Sequence, residues 1–118
     1  MSWDILIAAL IMVESSGIDT AIGDNGESVG CLQIQMPIIQ DVNRVYKTGY
    51  TSYDRYDRQS STEICKLYLK YWSAMYSKRT NKPATYEILA RIWNGGPDGW
   101  RKESTWEYWV KFCHVPPM

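Results

Sequence analysis

Two acids ten residues apart, Glu14 and Asp24, are the residues of this chain best placed to do chemistry. Ile7, Leu10 and Ile11 precede Glu14 at i−7, i−4 and i−3, so a helix here sets Glu14 on their apolar stripe. Ser15, Ser16 and Gly17 follow at once and read as a helix stop, with glycine free to turn left-handed. Glu14 then falls in the last turn, where the helix dipole disfavours an anion. Partial burial disfavours the charge as well, so the Glu14 carboxyl is expected to keep its proton to higher pH than usual. A carboxylic acid of that kind can serve as a general acid. Asp24 lies in a glycine-rich stretch, where a loop carboxylate could face the helix-end acid across a cleft. Cleaving a glycosidic bond needs such a pair. One carboxylic acid protonates the leaving oxygen, and the other carboxylate activates water or stabilises positive charge at the anomeric carbon. Each acid also has a plainer reading. Glu14 could be a helix-end glutamate bent out to solvent, and Asp24 an ordinary turn former.

The elements that must hold these acids are legible from period and punctuation. Residues 3–15 read as one helix. Residues 16–30 hold Gly17, Gly23, Gly26 and Gly30 among Asp19, Asp24, Asn25 and Ser28, which is turn and short-hairpin chemistry. Pro37 can open a second helix at its first turn, running to about Tyr46. Residues 47–60 are polar, rich in tyrosine and irregular. A longer helix begins near Ser61 or Thr62, with Ile64, Leu67, Tyr68, Tyr71, Trp72 and Met75 as its apolar stripe. Thr80-Asn81-Lys82-Pro83 ends it or follows it closely. Thr85 starts another helix, stopped by Gly95-Gly96-Pro97, and Trp106, Trp109, Val110 and Cys113 mark a last short one. The expected fold is mainly α, of α+β type, with a small glycine-rich β-hairpin near residues 20–35.

Composition narrows the function. The 118 residues suffice for one domain, 1–118, with one core. Thirteen basic residues balance thirteen acidic ones, so no long-range field draws the chain to nucleic acid. Six Trp and nine Tyr stand against one Phe, a bias toward half-wet surfaces that suits a cleft for a polar, ring-shaped ligand. Cys31, Cys65 and Cys113 are widely spaced and His114 is the only histidine, so no metal site is expected. Reduced, mostly buried thiols are the plain reading, with a disulfide between two of them left open. The apolar run Ile5 to Val13 lacks the flanks of a signal peptide and is too short to span a bilayer. Tyr46, Tyr50, Tyr53 and Tyr56 could stack on sugar rings or anchor their loop, and anchoring is preferred. His114 reads as a surface residue.

Three segments then carry a resemblance. Glu14-Ser15, Gly30-Cys31-Leu32-Gln33-Ile34 and Ala90-Arg91-Ile92-Trp93-Asn94-Gly95-Gly96 are similar, in order and spacing, to the three motifs of the soluble lytic transglycosylase and goose-type lysozyme superfamily. They span residues 14–96. The resemblance implies the lysozyme-like fold, with Glu14 as catalytic acid and Gln33, Trp93 and Asn94 on the substrate side. Trp93 stands where the family usually has tyrosine, so a phenol hydroxyl is missing there. Asp24 resembles the aspartate of goose-type lysozymes, which lytic transglycosylases generally lack. A further goose-type aspartate corresponds to Gln35 and is absent. The third segment is also similar to invertebrate-type lysozymes, which pair a glutamate with an aspartate but carry many disulfides that are not found here.

The resemblance thus implies a muramidase that hydrolyses the β-1,4 bond between N-acetylmuramic acid and N-acetylglucosamine, with Glu14 as acid and Asp24 as water-positioning base. Glu27 ranks below Asp24 for the second role. No cofactor is expected, and the partner is the peptidoglycan glycan strand, with no nucleic acid and no membrane insertion. A monomer made in the cytoplasm without a signal peptide is expected to reach the wall by release or delivery, like a phage lysin or a wall-lytic effector. Two other readings stand beside it: a lytic transglycosylase that uses Glu14 alone, and a non-catalytic wall-binding or structural virion protein.

Overall fold

The computed structural model describes residues 1–116 and is mainly helical. Among the described residues five helices, α1 (Trp3–Ser15), α2 (Met36–Tyr46), α3 (Arg58–Thr80), α4 (Tyr86–Gly95) and α5 (Trp106–Cys113), are joined by 3₁₀ turns and one small hairpin. That hairpin pairs β1 (Ile22–Gly23) with β2 (Ser28–Val29) antiparallel, with Ile22 opposite Val29 and Gly23 opposite Ser28. A further antiparallel bridge joins Val29 to Ile34. The α+β reading of the sequence therefore holds.

Local chemistry explains where the elements begin and end. Ser16 (φ 57°) and Gly17 (φ 88°) turn left-handed after α1, the stop that their sequence announces. Pro37 occupies the first turn of α2, where a missing N–H costs nothing. The Thr85 side chain caps α4 by accepting from the Ile88 N–H at 3.3 Å. Helix α3 starts earlier than its apolar stripe suggests. The Asp57 carboxylate accepts from the Ser60 N–H at 2.9 Å and so caps a polar first turn.

The chain resolves into two compact units, and α1 and α3 each give residues to both. One is Ile11–Tyr68 and the other is Met1–Leu10 with the chain from Leu69 onward. In the first, Ile11, Val29, Cys31, Leu32, Ile34, Ile39, Val42, Ile64, Cys65 and Tyr68 are buried. In the second, Leu6, Ile7, Leu10, Leu69, Leu89, Ala90, Ile92, Trp93 and Tyr108 are buried. The buried face of α3 is turned relative to the expected stripe. Ser61, Cys65 and Leu69 are wholly buried, whereas Leu67 is half-exposed and Met75 exposed.

Two of the four tyrosines anchor their segment. The Tyr46 hydroxyl donates to the Leu67 carbonyl at 2.9 Å, and the Tyr50 hydroxyl donates to Glu63 at 3.1 Å. Tyr53 is 82% exposed. Cys31 and Cys65 are buried, while Cys113 and His114 are exposed.

Candidate active site

Glu14, Asp24 and Gln33 all belong to the unit Ile11–Tyr68. Glu14 is half-buried in the last turn of α1, as its place on the stripe requires. The next residue fixes it. The Ser15 hydroxyl donates to the Cys31 carbonyl at 2.8 Å and lies 3.3 Å from the Ile11 carbonyl. The same oxygen accepts from the N–H groups of Gly17 (3.2 Å) and Ile18 (3.1 Å). One side chain so satisfies backbone groups on both sides of the helix end and ties it to residues 30–33. The Glu14 charge also reaches the wholly buried Cys65. Burial raises that thiol well above its ordinary value, and the negative charge of Glu14 raises it further.

Asp24 stands where the hairpin turns. Asp24 (φ 51°), Asn25 (φ 57°) and Gly26 (φ 92°) are left-handed in succession. Non-glycine residues adopt that backbone rarely, Asn and Asp more readily than most. The exposed Asp24 carboxylate accepts a 2.6 Å hydrogen bond from the buried Ser28 hydroxyl. Ser28 Oγ in turn accepts from Gln35 Nε2 at 3.1 Å. Glu27 is exposed; its N–H donates to the Asp24 carbonyl at 3.2 Å, and its own carbonyl accepts from Arg55.

Gln33 braces the hairpin. Its Nε2 donates to the carbonyls of Ala21 (3.1 Å) and Gly30 (3.0 Å). A Cβ at Gly23 would stand 2.5 Å from Gln33 Oε1, so the glycine makes room for the amide. Gly30 is required more strongly. Its φ is +87°, and a Cβ there would lie 1.8 Å from the Arg55 carbonyl oxygen.

Arg55 escapes sequence reasoning. It is only 9% exposed. Its Nε donates to the Ser52 carbonyl at 3.0 Å, and its Nη1 to the carbonyls of Glu27 (3.2 Å) and Ile34 (3.0 Å). One cation therefore holds both ends of residues 27–34, the segment that carries Ser28 and Gln33. An arginine in a polar, tyrosine-rich stretch looks like surface charge, and nothing in the sequence marks it otherwise.

Trp93 and Asn94 lie in the other unit, at the end of α4. Trp93 is 6% exposed, so its ring is part of the core, and Asn94 is the exposed member of the pair. The glycine pair after them is fixed by local geometry. A Cβ at Gly95 would meet Thr105 Cγ2 at 2.4 Å. Gly96 (φ 86°) closes the helix by donating its N–H to the Ile92 carbonyl at 2.8 Å. The same unit has an apolar pocket of about 410 Å³ lined by Ile5, Ala9, Tyr86, Trp109 and Phe112 among others, and by none of the candidate acids.

The chain has counterparts among known proteins. The family described as Transglycosylase SLT domain matches residues 1–106. Among solved structures, the chain is similar to a chain in the crystal structure of Aeromonas hydrophila PliI in complex with Meretrix lusoria lysozyme. The TM-score is 0.70 at 25% identity, over 93% of this chain and 87% of that one. No curated protein matches.

Proposed function

Because the chain belongs to the transglycosylase SLT domain family of lysozyme-like domains that act on peptidoglycan, we propose that it is a muramidase with Glu14 as general acid and Asp24 as water-positioning base. The bond cleaved is the β-1,4 link between N-acetylmuramic acid and N-acetylglucosamine. Glu14 gives its proton to the glycosidic oxygen as the bond to the anomeric carbon breaks. Water enters on the opposite face and yields a proton to Asp24, leaving a reducing muramic acid of inverted configuration. Asn94, exposed in the last turn of α4, takes a glycan-binding role, and Gln33 and Trp93 support the segments nearest the substrate.

The observation that carries the hydrolytic reading is the second acid. Asp24 is held on a left-handed turn by a 2.6 Å bond from Ser28, in the same unit as Glu14. Non-glycine residues in that backbone cost about 1–3 kcal/mol and persist where the surroundings impose them, often at active sites. The likeness to a chain from a structure holding Meretrix lusoria lysozyme supports the same reading.

The family description favours a second reading, a lytic transglycosylase. Glu14 would then act as acid and afterwards as base, and the sugar's own hydroxyl would replace water. Mass analysis of muropeptides released from purified walls separates the two. Reducing ends, with hydrolysis strongly lowered in Asp24→Asn, are the expected result. A digest dominated by 1,6-anhydromuramic ends would falsify the hydrolase.

A further inference from the structure

We propose that Gln35 and Ser28 form a hydrogen-bond relay that positions the Asp24 carboxylate for its work on water. The proposal rests on Asp24 being the base. Neither Gln35 nor Ser28 carries a role in the reading above.

The backbone register brings the three residues together. Val29 and Ile34 form an antiparallel bridge, with Val29 N–H to Ile34 O at 3.3 Å and Ile34 N–H to Val29 O at 3.0 Å. One step outward, Ser28 and Gln35 are cross-strand neighbours. On its other side Ser28 pairs with Gly23, the residue before Asp24. Ser28 is 2% exposed, so its hydroxyl has a defined place between the two partners.

Proton bookkeeping gives the relay one direction. Asp24, acting as a base, is a carboxylate and can only accept hydrogen bonds. The single Ser28 proton therefore points at Asp24 Oδ2, and 2.6 Å is the length of an O–H···O⁻ bond. With its proton spent, Ser28 Oγ can only accept from Gln35, so the Gln35 amide must present Nε2 rather than Oε1. An acid at position 35 would reverse this logic. It would compete for the one hydroxyl proton and repel Asp24. The amide at position 35 therefore fits the order of donors and acceptors that the Asp24 carboxylate imposes. Gln35 is exposed and its side chain does not cap α2, although it occupies the cap position. The relay is the use its amide is put to.

The test is steady-state hydrolysis of purified peptidoglycan by Gln35→Glu, Ser28→Ala, Ser28→Thr and Asp24→Asn, with Gln35→Glu also combined with Asp24→Asn. Gln35→Glu keeps size and sits at an exposed site, so it should fold like the parent. Its kcat is expected to fall roughly tenfold with KM unchanged, a smaller loss than the ~10²–10⁴-fold of removing an acid–base group. Ser28→Ala should match it, and Ser28→Thr should restore part of the rate. In the Asp24→Asn background, Gln35→Glu should cost nothing more, a non-additivity that a purely structural role would not show. If Asp24→Asn is impaired but Gln35→Glu keeps full kcat, or if the losses simply multiply, the relay is wrong while the base stands. A fully active Asp24→Asn removes the base, and the relay with it.

Discussion

The Ser15 hydroxyl lies 2.8 Å from the Cys31 carbonyl oxygen, joining the residue after Glu14 to the turn that carries Gln33. This bond gives the serine of the first motif a physical role. It locks the candidate acid's helix end to the hairpin segment of the same unit. Ser15→Ala should therefore cost about 1–2 kcal/mol, the usual loss for a hydrogen bond whose buried partner is left unpaired. Wall-lytic activity should fall several-fold at a temperature where the variant is fully folded. Denaturant titration beside a turbidity assay checks both, and a variant as active and stable as the parent would show that the bond positions nothing.

Glu14→Gln keeps shape and hydrogen bonding but removes the transferable proton. Activity on purified walls should drop on the order of 10²–10⁴-fold. Stability should hold or rise, because a half-buried acid has been neutralised. Lysis within about threefold of wild type, a barrier change of roughly 0.6 kcal/mol, would remove Glu14 from the mechanism.

Arg55→Met keeps the length of the buried side chain and removes its three donated hydrogen bonds. Bonds from charged donors contribute about 1.5–3 kcal/mol each and do not simply add. A loss of about 3 kcal/mol or more in urea unfolding is expected, a large share of the ~5–15 kcal/mol typical of a domain. Arg55→Lys should recover little, since one ammonium cannot reach three carbonyls in a fixed fork. A loss under about 1 kcal/mol for Arg55→Met would mean that the guanidinium is not the clamp.

The thiols should split by burial. Thiolate is the reactive form, and burial with the Glu14 charge holds Cys65 well above its usual value. Burial raises Cys31 as well, with Arg58 offsetting part of the effect. Cys113 is exposed. A thiol reagent at pH 8 should thus modify one cysteine in the native protein and three after denaturation. Peptide mapping should place the native label at Cys113. Rapid native labelling of Cys65 would contradict the burial on which this rests.

Much of the molecule is local and was legible. The stripe Ile7, Leu10, Ile11 and Glu14, with its serine-glycine stop, defines α1 and leaves one acid half-buried at its end. Pro37, Thr85 and Gly95-Gly96 punctuate α2 and α4 because caps and breakers act within one turn of themselves. The glycine-rich run gave the hairpin, and Asp24 within it is the candidate second acid. Sequence by itself therefore determined which elements form and which acids are candidates for chemistry. Tertiary structure decided what holds them. The antiparallel register sets Gln35 across from Ser28, and Arg55 becomes a buried clamp on the carbonyls of Glu27 and Ile34. The same packing turns the buried face of α3 toward Cys65 and makes Gly30 the only residue that fits beside Arg55. None of this shows in a period of 3.6 or 2. Such patterns report the face a residue presents, while partners across a register or beneath a loop are chosen by contacts distant in the chain.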